Sequence, residues 1–285
     1  MLKLQRIELD QTDRFGEGAH GSIFSGKFNN KQIAVKRVQL IDTDEREEGA
    51  LQKLDHLNVV KLNHIENHDT FKYFALELCS ASLDQLFLDE SHLKKYRGPQ
   101  LPDNFTVLFQ LASGLEHIHS KNLIHRDIKP ENVLIHIDSV QKVTMKWADF
   151  GLSKPVNDRG TFTLSGLKGT NNWMAPELLK DAATRTRGNV TSDVFGEGLV
   201  FGYYLSNGKH PYGTVVWEIP SNIVANNPVN IDEIQSSFAR ELIQKMLESD
   251  FKKRITSLEV VQHLQSIKIE TNTIAGAPGN DKYLL

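Results

Sequence analysis

Apolar residues in the first third of the chain come in short runs, and the period of those runs changes twice. In GSIFSGKFNNKQIAVKRV, two β-branched or apolar segments flank Asn29 and Asn30, and Ile33 and Val35 alternate with polar neighbours. Alternation about a short polar turn predicts a β-hairpin. The next stretch, DTDEREEGALQKLDHL, switches period. Leu51 and Leu54 sit three apart and Glu47 lies one turn before Leu51, which puts them on one face of a predicted helix. KYFALELCS returns to a strand-like run and ends in SASL, a linker.

Beyond that linker the pattern is mainly helical. FTVLFQLASGLEHIHSK spaces Phe105, Leu108, Leu111 or Ala112, Leu115 and Ile118 at helical intervals, long enough for a buried core helix. VLI and VTMKWADF read as short strands, and SDVFGEGLVFGYYLSNG as a second apolar helix ending near Gly208. Amphipathic spacing predicts two more helices over 236–248 and 257–267, with a loop over 220–229. ETNTIAGAPGNDKYLL mixes Gly, Pro and polar residues without a period, which predicts a loose tail over 268–285.

Candidate chemistry sits at the joints of this pattern. Gly16, Gly18 and Gly21 form G-x-G-x-x-G, a spacing that lets backbone amides approach phosphate oxygens where side chains would collide. A dinucleotide site would need the motif to lead into a helix, but SIFSG follows as a strand, so the glycines tip a flap over a nucleotide. Lys36 lies in the apolar run IAVK, where a charge needs a partner, and Glu47 on the next helix is the obvious one. HRDIKPENVLI at 125–135 and ADFG at 148–151 then supply a complete set. Asp127 can orient or deprotonate an incoming hydroxyl, and Lys129 can neutralise a transferring phosphoryl group. Asn132 and Asp149 can hold a divalent cation against phosphates. A metal-dependent hydrolase could use similar ligands, yet Lys129 two residues beyond Asp127 better suits a protein hydroxyl than a held water. His125 and Phe150 read as packed residues that position their neighbours.

Composition narrows the picture only a little. A net charge of -3, from 33 basic and 36 acidic residues, argues against nucleic acid as a partner. Cys79, the single cysteine, excludes an internal disulfide and a cysteine-rich metal site. No run approaches the ~20 apolar residues that cross a bilayer, so the expected location is the cytoplasm, or the nucleus.

The order GEGAHG, AVK, Glu47, HRDIKPEN, DFG, APE at 175–177 and SDVFGEG at 192–198 resembles the eukaryotic serine/threonine protein kinase family over residues 10 to about 267. The resemblance implies a bilobal α+β fold within 1–267. A five-stranded amino-terminal lobe with one main helix would occupy about 1–78, a hinge about 77–82, and a mainly helical lobe about 83–267. ATP would lie between the lobes, with Mg2+, or Mn2+ in its place. The implied ATP contacts are Gly16, Glu17, Gly18, Ala19, His20 and Gly21, then Ile23 and Ala34 above the adenine and Leu134 below it. Leu76 would be the gatekeeper, with Glu77 and Cys79 at the hinge. Glu177 would pair with Arg254, and Asp193 would brace the catalytic loop; both roles are structural.

Lys129 together with Thr170 is similar to the serine/threonine branch, with protein substrates as partners. Arg126 beside Asp127 resembles the subclass switched on by phosphate in the activation segment, where autophosphorylation is expected at Thr161, Thr163 or Ser165. GAHGSIFSGKFNNKQIAVKRV, LELCSASL, GTNNWMAPELL and GKHPYG are closest to the kinase domains of the ribonuclease-bearing sensors of the unfolded-protein response, and of ribonuclease L. That likeness implies a homodimer through the kinase domain. The sensors carry a membrane span before the kinase and a ribonuclease module after it, and the expectation here is a kinase with neither. A nucleotide-binding scaffold without catalysis is the competing reading, but Lys36, Asp127, Asn132 and Asp149 are all in place.

Overall fold

The computed structural model describes residues 1–18, 21–42, 45–157, 159–163, 169–180 and 187–274. Strands β1 (Leu2–Lys3), β2 (Ile7–Gly18), β3 (Gly21–Phe28) and β4 (Lys31–Gln39) lead into helix α1 (Glu45–Lys53), followed by β5 (Leu62–His68) and β6 (Phe71–Glu77). They form one antiparallel sheet in the order β1-β2-β3-β4-β6-β5. The five expected strands are β2 to β6; the two-residue β1 adds an edge, with Leu2 opposite Leu9. The hairpin read around Asn29 and Asn30 has φ of 50° and 62° at those residues, the paired left-handed turn that matches the twist of its strands.

The larger part runs β7 (Ala81–Ser82), α2 (Asn104–Ser120), β8 (Leu123–Ile124), β9 (Val133–Ile137), β10 (Val143–Trp147), β11 (Lys154–Pro155) and β12 (Thr161–Thr163). It continues with α3 (Pro176–Lys180), β13 (Arg187–Asn189), α4 (Thr191–Leu205), α5 (Ile219–Val224), α6 (Ser237–Met246) and α7 (Ser257–Ile274). Helix α2 begins where the Asp103 carboxylate accepts the Thr106 N–H at 2.8 Å, a side-chain cap for an otherwise unpaired donor. Its apolar face, Val107, Leu108, Leu111, Leu115 and Ile118, is fully buried.

Two expectations are corrected. Residues 220–224 of the expected loop belong to α5, because Pro220 sits in its first turn, where a missing N–H leaves no hydrogen bond unmade. The helix expected to end at Ile267 runs on to Ile274, since nothing in Lys268–Ile274 is Gly or Pro; residues 275–285 of the expected tail lie outside the described residues.

Buried apolar side chains fall into two clusters. Ile7, Leu9, Phe24, Ile33, Val35, Tyr73 and Ala75 form a small core on one face of the amino-terminal sheet. The main core joins Leu51 of α1, Leu54 just beyond it, Phe74 and Phe150 to α2, α4, α6 and α7, so it passes from one lobe into the other.

Helix α4 is buried over most of its length and carries a carboxylate that sequence reading did not single out. Glu197 is fully buried, and neither oxygen meets a hydrogen-bond partner among the described residues. Burial, and then the nearby Asp193 carboxylate, push its pKa well above the ordinary value. The unfolded chain releases this proton near the ordinary value, so at higher pH folding takes a proton up. The stability that Glu197 contributes is present at low pH and falls as pH rises toward its folded pKa, by at most ~1.4 kcal/mol per pH unit. Urea midpoints of the wild type should therefore decline from pH 5.5 to pH 8 more steeply than those of Glu197→Gln. Parallel curves would refute the assignment.

Candidate active site

The glycine turn between β2 and β3 pairs Gly16 with Ile23 and Gly18 with Gly21. Gly21 has φ of +119°, and a Cβ there would lie 2.4 Å from the Arg37 carbonyl oxygen, so only glycine fits. Beside Gly16 a Cβ would meet nothing within 4 Å, which leaves that side of the strand open for a ligand. Ala19 and His20 lie outside the described residues, and of Glu17 and Gly18 only the backbone is described.

Strand β4 alternates Ile33 and Val35 into the small core, which turns Ala34 and Lys36 to the opposite face. Ala34 pairs with Leu76 across β6, and Ile23 pairs with Lys36 across β3. Ile23, Ala34, Leu76 and Leu134 are each partly exposed. Lys36 Nζ donates to Glu47 Oε1 at 2.5 Å and to Asp149 Oδ1 at 2.9 Å. Burial alone would lower the Lys36 pKa, but the two carboxylates outweigh it and hold the ammonium above its ordinary value. The charge is thus fixed at the end of the cleft that the glycine turn covers.

The loop after β8 is anchored by α4. The Asp193 carboxylate of α4 accepts the His125 N–H at 2.7 Å and the Arg126 N–H at 2.9 Å, and His119 Nε2 lies 3.0 Å from it. Burial would raise the Asp193 pKa, but the bond to His119 and the nearby histidines and amides hold it below the ordinary carboxylate value. With its backbone pinned there, Arg126 adopts φ of 73°, a strained geometry for a long side chain. His125 Nδ1 accepts the Asp127 N–H at 3.3 Å, which puts the ring proton on Nε2, 2.9 Å from the Ala148 oxygen. His125 and Phe150 are both fully buried, with rings 4.9 Å apart.

Asp127 is the centre of a small network. Lys129 Nζ lies 2.7 Å from its Oδ2, Thr170 Oγ1 donates to its Oδ1 at 3.1 Å, and Lys129 donates to Thr170 Oγ1 at 3.0 Å. Thr170 reaches this place because Gly169 precedes it at φ +116°; a Cβ at 169 would lie 2.9 Å from the Arg126 carbonyl oxygen. Asn132 Nδ2 donates to the Asp127 carbonyl and carboxylate at 2.7 and 2.9 Å. That orientation turns its amide oxygen away from Asp127. Asp149, at φ of 62°, offers a carboxylate. Among the described residues there is no group of three His, Cys, Asp or Glu side chains that could hold a metal by themselves. An oxygen-only pair, Asn132 and Asp149, instead fits a hard divalent cation that takes its other ligands from phosphate and water.

Farther out, Arg254 donates to Glu177 at 2.7 and 2.9 Å in a two-pronged pair, and Ser192 Oγ donates to Glu177 at 2.8 Å. His119 and Ser192 escaped sequence reading because each acts through a partner 74 or 15 positions away. Thr161 is held in a turn: its N–H and hydroxyl both donate to Asn157 Oδ1 at 3.0 Å. Of Thr163 only the backbone is described, opposite Arg187 in the β12–β13 ladder, and Ser165 lies outside the described residues.

Comparison with known proteins agrees with this geometry. The protein kinase domain family model matches residues 9–265. The chain is 37% identical over 273 residues to the serine/threonine-protein kinase/endoribonuclease IRE2 of Homo sapiens, covering 90% of this chain and 28% of that protein. It is 34% identical over 272 residues to ire-1 of Caenorhabditis elegans, covering 90% and 27%, and 31% identical over 305 residues to IRE1 of Hypocrea jecorina (strain QM6a), covering 92% and 24%. The chain therefore spans about a quarter of the length of these relatives. No helix among the described residues is long and apolar enough to cross a membrane. A charge-fixed lysine beside Asp149, an aspartate, lysine and threonine network around Asp127, and a family match over residues 9–265 lead to one conclusion: the chain belongs to the protein kinase family.

Proposed function

We propose that this domain phosphorylates serine and threonine hydroxyls of protein substrates, with Mg2+ as its cation, and that it also phosphorylates its own activation segment. The observation that carries the reading is the bonded set Asp127, Lys129 and Thr170 facing the Lys36–Asp149 pair across the cleft. Asp127 takes the acceptor's hydroxyl proton as its oxygen bonds to the γ-phosphorus of ATP. The bond from that phosphorus to the β,γ-bridging oxygen breaks, and ADP leaves. Lys129 stabilises charge on the transferred group, and Lys36, held by Glu47, positions the α- and β-phosphates. Asn132 and Asp149 would hold the cation, which would supply positive charge against the phosphate oxygens.

Arg126 supports regulation by phosphate, since its guanidinium already donates to the Leu152 carbonyl at the start of the activation segment, at 3.3 Å. A phosphate on that segment would supply a stronger, charged acceptor. Phosphorylation of one copy by another is consistent with pairing through the kinase domain, which the kinship to the IRE proteins supports. Phosphosite mass spectrometry over time with ATP and Mg2+ tests the reading. Thr163 or Ser165 should fill ahead of Thr161, whose hydroxyl must first leave Asn157. Modification at Thr161 first would refute that order, and no incorporation at any site or substrate would refute the activity.

A further inference from the structure

The carboxylate of Glu77, at the end of β6, does not face the cleft chemistry described above. Its Oε1 lies 3.2 Å from His136 Nε2 and its Oε2 lies 3.0 Å from Lys146 Nζ. Oε2 also accepts the Lys61 N–H at 3.2 Å. The Lys146 ammonium, buried with its side chain only 5% exposed, makes a second bond, donating to the Leu57 carbonyl at 2.6 Å. Lys146 thus joins three segments: the strand end that becomes the hinge, the loop between α1 and β5, and β10, whose chain continues directly into Asp149.

The register explains why these groups converge. Lys146 stands opposite Leu134 in the β9–β10 ladder, and His136 is two residues beyond Leu134 on β9. Directly opposed residues and residues two apart share a face. Leu134, His136 and Lys146 therefore lie on one side of the hairpin, the side that meets the hinge. The loop at 57–60 is fastened to the same strand: Trp147 N–H donates to Asn58 O at 2.9 Å, Val60 N–H to Trp147 O at 2.8 Å, and Asn58 Nδ2 to the Met145 carbonyl at 2.9 Å. The surroundings are poor in water. Burial, and then the Glu77 carboxylate, push the Cys79 thiol up to about 12. In such a setting a lysine and a glutamate hold each other firmly, and removing one leaves the other badly placed.

We propose that Glu77, Lys146 and His136 form a clamp behind the hinge that positions the backbone around Cys79 for the purine and so sets nucleotide affinity, without touching the nucleotide. This rests on the cleft being the ATP site. The function differs from simple support of the fold: the clamp ties the amino-terminal sheet to the hairpin bearing Leu134 and, three residues past Lys146, Asp149. Loosening it displaces the surfaces above and below the purine relative to each other, while Asp127, Lys129 and Thr170 keep their own bonds.

The test is calorimetric titration with Mg·ADP and steady-state kinetics on wild type, Lys146→Met, Lys146→Arg and His136→Gln. Lys146→Met should raise the ADP Kd and the ATP KM in parallel by about tenfold, with kcat within about twofold. Lys146→Arg, which keeps the charge, should recover most of the affinity. If Lys146→Met does not fold, His136→Gln carries the same test, with a rise of about threefold. A folded variant with wild-type Kd and KM overturns the clamp, as does an equal fall in kcat with KM unchanged. Wild type that binds ADP but transfers no phosphate sinks the catalytic reading and leaves the clamp standing; wild type that binds no ADP sinks both.

Discussion

Asp127→Asn should lower kcat by about 10²–10⁴-fold, the span expected when a positioned proton acceptor is removed. Asparagine keeps the size and much of the hydrogen bonding of the site, so Lys129, Thr170 and Asn132 retain a neighbour of similar shape. It cannot take the acceptor's proton, and it removes the charge against which Lys129 is held at 2.7 Å. In the proposed function nucleotide binding falls to Lys36, which Glu47 and Asp149 hold apart from this network, so the Mg·ADP Kd should stay within about twofold. A single-turnover measurement with saturating ATP separates the two effects. Variant turnover within tenfold of wild type would show that Asp127 is not the group that handles the proton.

The second large effect concerns stability. Glu177→Ala removes both acceptors of the paired bonds from Arg254, whose side chain is 0% exposed, and strands a buried guanidinium. Breaking one side of a buried pair destabilises by about 3–5 kcal/mol. Arg254 still donates to the Thr191 carbonyl at 2.9 Å and the Glu248 carbonyl at 2.8 Å, which argues for the lower end of that range. The double variant Glu177→Leu with Arg254→Met should recover part of the loss, because no unpaired charge remains. Urea unfolding of the single and double variants checks this; a single variant within 1 kcal/mol of wild type would show that the carbonyls alone satisfy Arg254.

These contacts also show what could be known from the chain alone. Lys36 in an apolar strand and Glu47 on a helix face were legible because burying a charge demands a partner and the spacing left one candidate. The Asn29–Asn30 turn was legible because two successive left-handed residues favour asparagine and glycine. The strand from Leu62 to His68 carries Asn or His at four of its seven positions, which hides it as a strand; it forms at the sheet edge by pairing with β6. Proline masked α5, although proline is compatible with a helix's first turn. The clamp behind the hinge could not be read at all. His136 and Lys146 look like ordinary charges on two short strands, and only the antiparallel register of β9 and β10 brings them to one side, where both meet Glu77. Glu197 is hidden for the opposite reason: SDVFGEG reads as a motif around Asp193, and nothing in the spacing marks its second carboxylate as buried.

The path of the main core has a thermodynamic consequence. Leu51, Leu54 and Phe74 of the amino-terminal lobe are in one continuous apolar cluster with Phe150 and the helices of the other lobe, while the small lobe's private cluster holds seven buried residues among the described ones. A body of that size has too little enclosed surface to persist by itself. The small lobe therefore borrows its cohesion from the large one, and heat should dissolve the two together in a single calorimetric peak, with no stage in which a folded half outlives its neighbour.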